Sequence, residues 1–206
     1  MALTSILPIA AAFLYLIAAI LYNVQIINGK SKPNAISWSI WSLLAIVNVF
    51  SYGAMIDNWV AALQFFAGSV ACIITFVICL IKKRFDCPSN IEWAIAAICL
   101  IAILVWIIFR SATYANMVVV VAFVFSFVPT LTGVFNDPRK ERSLPWTVWT
   151  IAFSITLINI VLIGKEWMAY LIPGGGLIGH ALVGLLVIKK RRMAFKQSVI
   201  GYGSFP

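Results

Sequence analysis

Apolar residues in this chain come in long runs separated by short polar connections, with no sustained amphipathic stripe between them. Seven such runs can be drawn, at roughly 4–22, 36–54, 59–81, 91–109, 116–134, 144–163 and 166–188. Each is near the ~20 residues that a helix needs to cross a hydrocarbon layer. Backbone inside lipid must pair its own N–H and C=O groups, and a helix does this within one segment. The pattern predicts an all-α integral membrane protein with seven transmembrane helices. The first 22 residues lack the basic leader of a signal peptide and count as a span.

Composition sharpens this picture. Of 206 residues, 63% are hydrophobic and 10% charged, which leaves no room for a soluble domain beside the spans. A formal charge of +9 would suggest nucleic acid for a soluble chain. Here, however, thirteen of the fifteen basic residues fall in connections on one side: Lys30 and Lys32, then Lys82, Lys83 and Arg84, then Arg139, Lys140 and Arg142, then the tail from Lys189 to Lys196. Only Arg110 and Lys165 fall on the other. The positive-inside rule then puts the amino terminus outside and the carboxyl terminus in the cytoplasm, and no nucleic-acid partner is expected. Cys72, Cys79, Cys87 and Cys99 form neither a disulfide framework nor a metal spacing, so no metal and no cofactor are expected.

Two stretches, Ser37-Trp38-Ser39-Ile40-Trp41-Ser42 and Pro145-Trp146-Thr147-Val148-Trp149-Thr150, repeat one pattern 108 positions apart. The same offset brings Trp59 onto Trp167, Gly68 onto Gly176, Lys82 onto Lys190 and Arg84 onto Arg192. This reads as a duplicated module. A three-helix module followed directly by its copy would be inverted in the membrane, and the unpaired fourth helix restores parallel orientation. The expected plan is three plus one plus three: a first repeat at 1–84, a linker helix at 85–112, a second repeat at 113–192 and a cytoplasmic tail at 193–206. Within each module the first connection is unusual. The stretch Asn23 to Asn34, with Gln25 and Pro33, ends the first helix, and Pro129-Thr130 begins the corresponding break in the fifth. Pro129 should kink its helix near the cytoplasm. Pro145 suits a helix start as well as a gate. The run Pro173-Gly174-Gly175-Gly176 should interrupt the seventh helix and line a cavity. Gln25, Pro33, Pro129, Pro145 and Pro173 are the candidate gating or hinge positions.

Val24-Gln25-Ile26-Ile27 followed by a basic turn and Ser37, Tyr52-Gly53, Pro129-Thr130 and the three plus one plus three plan together resemble the PQ-loop superfamily, which includes the SWEET sugar facilitators. The resemblance implies a carrier that rocks two triple-helix bundles around a central site, and relatives that are often homo-oligomers. Phe65, Pro173, Val49 and Leu157 stand where the sugar-contacting residues of that family would fall, so its sugar pocket does not carry over. Trp146, Trp149 and Gly164 look like the arrangement in the PnuC-type nicotinamide riboside transporters.

Residues three and four apart share a helix face. Trp38, Trp41, Ala45, Asn48 and Tyr52 make one stripe, and Trp146, Trp149, Phe153, Thr156 and Ile160 its counterpart. Trp41 and Trp149 facing across a cavity suit a ring-shaped solute, with Asn48, Thr156, Gln64 and Asn159 supplying hydrogen bonds. Trp38 and Trp146, at helix ends, read as an interfacial belt, as do Trp59 and Trp167. His180, the only histidine, is a substrate ligand or proton carrier, or else a neutral side chain bonded to a neighbouring helix. Every Asp and Glu falls in a loop or at a helix end, so no carboxylate relay is expected and facilitated diffusion is the simpler mechanism. The expected function is movement of a small neutral polar solute, a sugar or a vitamin- or nucleoside-like compound, by alternating access. A membrane receptor or a trafficking or assembly factor is the alternative. An enzyme is not expected, because no nucleophile accompanies His180 and no phosphate-binding glycine loop is present.

Overall fold

A computed structural model describes residues 3–33, 35–83 and 87–202, with the side chains of 194–202 excepted. Asn34, Asp86, the Arg84 half of the Arg84/Arg192 match and residues 203–206 of the expected tail lie outside the described residues. Every apolar run forms helix: α1 (Leu3–Ile27), α2 (Ala35–Ile56), α3 (Leu63–Ile81), α4 (Asn90–Phe109), α5 (Ala112–Phe125), α6 (Phe127–Asn136), α7 (Ser143–Ile163) and α8 (Leu171–Tyr202). A 3₁₀ turn, Trp167–Tyr170, leads into α8, and among the described residues there is no strand. With α5 and α6 counted as one broken rod, seven helical segments are long and apolar enough to cross a membrane. The chain is a multi-pass integral membrane protein.

Local chemistry sets the helix ends. Ser89 and Glu92 form a reciprocal capping box at the start of α4. The αL conformation of Arg110 ends α4 (φ 50), and Gly164 ends α7 the same way (φ 61). Gly29 (φ 68) turns the chain out of α1, and Lys30 and Ser31 donate their backbone N–H groups to the Gln25 carbonyl.

Several expected boundaries shift. α1 runs five residues beyond 22, so Asn23 and Gln25 are helical rather than part of a connection. α3 starts at Leu63 rather than 59, which places Gln64 one residue into the helix. The Pro173–Gly176 run does not interrupt the seventh span. Pro173 is the third residue of α8, where its missing N–H has no helical acceptor to lose. The helix runs on through the glycines after it, and two glycines of α8 make room for rings: a Cβ on Gly176 would strike the Phe153 ring, and one on Gly179 the Phe127 ring. The fifth span does break, at Ser126, three residues before Pro129 and next to the i−4 carbonyl with which a proline ring clashes.

Packing sorts the helices. α3 lies against both α1 and α2, and α8 lies against α7 and the α5–α6 rod. α1 runs along α7 and α2 along α5, which closes a ring of six spans, while α4 packs on the outside against α5 and α2. Accordingly 61% of the apolar window of α2 is buried, against 22% for α4. Two ends result. Lys30, Lys32, Arg139, Arg142 and Arg191 gather at one, called the basic end below. At the other, Tyr52 Oη donates to the Ala169 carbonyl at 2.8 Å and Lys165 Nζ to the Ile56 carbonyl at 2.6 Å.

Candidate functional site

The middle of the ring is aromatic. Tyr15 and Tyr22, seven residues apart on one face of α1, meet Trp38 of α2 and Trp146, Trp149 and Phe153 of α7, and Trp38 packs on Trp41, which meets Phe123 and Phe127 of the broken rod. His180 sits among five of these rings, with centroids 4.9 Å from Phe153, 5.0 Å from Phe127 and 5.4 Å from Trp149. Trp38 and Trp146 are therefore core residues, 8% and 2% exposed, which overturns the belt reading for them. Trp59 and Trp167 are more than half exposed, as belt residues would be. His180 bonds to its own helix and not to a neighbour: Nδ1 lies 2.7 Å from the Gly176 carbonyl. A carbonyl oxygen only accepts, so the proton is on Nδ1 and Nε2 keeps a free lone pair.

Above this cluster lies a small cavity of about 30 Å³, room for one water molecule. Tyr15, Trp41, Asn48, Gln64, Phe123 and Phe153 are among the residues around it. The polar groups here are tied across helices. Asn116 Nδ2 of α5 donates to Asn48 Oδ1 and to Ser51 Oγ of α2, both at 3.0 Å. Thr156 Oγ1 of α7 donates to Gln64 Oε1 of α3. The pairing is incomplete: Gln64 Nε2, Trp149 Nε1 and Asn159 Oδ1 are buried without a partner. The structure thus brings Trp41, Asn48 and Gln64 to one cavity, with Thr156 bonded behind Gln64. Trp149 and His180 belong to the aromatic floor, and Asn159 is buried apart from the cavity lining.

At the basic end, a vestibule of about 340 Å³ opens between α2, α4, α6 and the 137–142 loop. Trp41 is the one residue that lines both this vestibule and the inner cavity. Two carboxylates, each 5% exposed, face the vestibule. Glu92 accepts from Ser37 Oγ and from the Ser89 N–H at 2.9 Å, joining the starts of α2 and α4. Glu141 accepts from Tyr22 Oη at 2.7 Å and from Trp146 Nε1 at 3.2 Å, joining α1 to α7. Burial pushes the Glu141 carboxyl up to about 7, against the lowering effect of those two hydrogen bonds.

The gating candidates scatter. Pro33 and Pro129 line the vestibule, and Pro145 and Pro173 are buried in the first turns of α7 and α8. Gln25 is at the rim of the basic end, where its side chain accepts from Ser31 Oγ at 3.2 Å and closes the turn after α1. Tyr15, Tyr22, Asn116, Glu92 and Glu141 were not among the expected site residues. A signal existed for three of them. Asn116 is a lone amide in an apolar run, and Tyr15 and Tyr22 share a helix face. No family model, no curated protein and no solved structure matches this chain.

Proposed function

We propose that the protein is a carrier for a small neutral polar solute, working by alternating access around the cavity bordered by Trp41, Asn48 and Gln64. The observation that supports this most directly is Gln64 Nε2, a buried donor without a partner on a residue lining a cavity that shares Trp41 with an open vestibule. A buried donor or acceptor without a partner costs roughly 1–3 kcal/mol. An unpaired N–H donor suits a solute carrying carbonyl, hydroxyl or ring-nitrogen acceptors, and the surrounding rings suit a planar or cyclic one. A sugar and a vitamin- or nucleoside-like compound both carry such acceptors, and either needs the cavity to widen beyond its one-water volume in this conformation.

The helix pairing also supports the reading. α3 packs between α1 and α2 as α8 packs between α7 and the broken rod, and α1 meets α7 as α2 meets α5. Two parallel three-helix modules joined by α4, related by an axis along the membrane normal, produce this pattern, in keeping with the resemblance to the PQ-loop superfamily. On this reading the basic end is cytoplasmic and the amino terminus is outside. The far end is closed by the Tyr52 and Lys165 hydrogen bonds, each running from one module to the other. Those two bonds are the outer gate, and such a gate favours a carrier over a receptor with a static one-sided pocket. Nor is an enzyme favoured, since the groups recorded around His180 are aromatic rings and one backbone carbonyl.

The test is thermal unfolding of the detergent-solubilised chain against sugars, nucleosides, vitamins and amino acids, followed by uptake of the stabilising class into liposomes. A ligand at a hundred times its dissociation constant adds about 2.7 kcal/mol of apparent stability. One class should stabilise the wild type and be taken up, and Gln64→Leu should lose both effects while still folding. Stabilisation without uptake would contradict the carrier reading and favour a receptor.

A further inference from the structure

We propose that the basic end carries a specific groove for the phosphate-bearing headgroup of an anionic lipid, built by Lys30, Lys32, Arg142 and Arg191. These side chains come from three separate segments, the turn after α1, the loop before α7 and the far part of α8, yet they surround one opening of about 540 Å³. Their only acidic companion in its lining is Asp137, already held by Arg139 at 3.1 Å. Among the described residues, no carboxylate comes within ion-pair distance of Lys30, Lys32, Arg142 or Arg191. Like charges held around one opening repel, and an anion between them relieves this.

Part of this cationic rim is also held in place before any anion arrives. Arg191 donates from Nε to the Pro138 carbonyl at 3.2 Å and from Nη2 to the Glu141 carbonyl at 2.9 Å, which fixes its guanidinium over the loop. The Lys32 N–H donates to the Lys140 carbonyl at 2.9 Å, which ties the turn after α1 to the loop before α7. Charges on fixed backbone lose less entropy on binding than free surface lysines do.

The shape distinguishes a lipid from a free anion. A second recess of about 380 Å³ shares Lys30, Arg142 and Arg191 with the first and runs on to Ser143 and Leu144. Leu144 is 54% exposed at the start of a membrane-spanning helix. A cationic opening that continues into an apolar exit at the membrane boundary follows the order of a phospholipid, headgroup first and acyl chain after.

The experiment uses the full chain in a zwitterionic detergent, titrated with phosphatidylglycerol, phosphatidylcholine or inorganic phosphate, with thermal unfolding read by intrinsic fluorescence and bound lipid counted by native mass spectrometry. Phosphatidylglycerol should raise the midpoint by about 3 °C more than phosphatidylcholine. The Lys30→Gln/Arg142→Gln double variant should lose most of that difference and retain fewer bound lipids. Lys82→Gln/Lys83→Gln, which removes two exposed charges from a different loop, should keep it. Equal losses in both double variants would mean a diffuse field instead of a groove and would overturn the proposal, as would no loss in either. Inorganic phosphate matching the lipid would overturn the lipid assignment and leave a free-anion site.

Discussion

Glu141 shows how far a side chain's sequence position can mislead about its surroundings. In the sequence it is a loop carboxylate between two basic residues; in the fold its oxygens reach Tyr22, 119 positions away, and Trp146. Burial raises its carboxyl to about 7 from an ordinary 4.5. Tyr22 faces it from α1 and Trp146 from α7, Arg191 reaches its backbone carbonyl from α8, and Lys140 and Arg142 flank it. Between pH 4.5 and about 7 the folded chain therefore holds a proton that the unfolded chain has released. Stability from this group is present at low pH and is lost as pH rises through that window. Unfolding midpoints measured from pH 5 to pH 8 should fall with pH in the wild type, by an amount on the order of 1–3 kcal/mol, and Glu141→Gln should flatten the dependence. An unchanged slope in the variant would assign the titration elsewhere. The sequence carried the contrast with Glu92 openly, since Ser89-x-x-Glu92 before an apolar run is a capping box by spacing alone. The contacts of Glu141 were hidden because they depend on how a loop folds back over α7, which no local pattern encodes.

Among the elements, α8 and the broken fifth span are the instructive pair. Both contain proline, and both were expected to be irregular. Pro129 lies well along its span, where its ring clashes with the preceding turn, and the rod breaks at Ser126. Pro173 lies in the first turn of α8, where nothing is lost, and the helix continues. What separates the two is distance from the helix start, and that start was misplaced because the short 3₁₀ turn at Trp167–Tyr170 is invisible to hydropathy. Of the glycines that follow, Gly176 is explained by its neighbour and Gly174 is not. Gly176 lets α8 close on Phe153 of α7, and an added methyl must push a ring that itself packs on His180. Gly176→Ala should destabilise by about 1–3 kcal/mol in thermal unfolding. Gly174→Ala, where nothing lies within 4 Å, should be neutral or stabilising. Equal effects at the two positions would contradict this packing.

For the whole molecule, the number of spans, their order and their lack of charge were legible, because a bilayer allows few solutions for long apolar runs. The ring closure, the outside position of α4 and the two spaces that share Trp41 were not, because they depend on which faces meet. The central claim, that the inner cavity opens alternately to each side, has a native reporter: Cys72 lines that cavity and is buried, while Cys87 is exposed. The most direct measurement is modification of Cys72 in sealed liposomes of known orientation by a membrane-impermeant thiol reagent applied to one side at a time, mapped by mass spectrometry with Cys87 as the reactive control. The account predicts slow modification of Cys72 from either side. Modification only from the side on which Cys87 reacts would contradict it, leaving a pocket that opens one way.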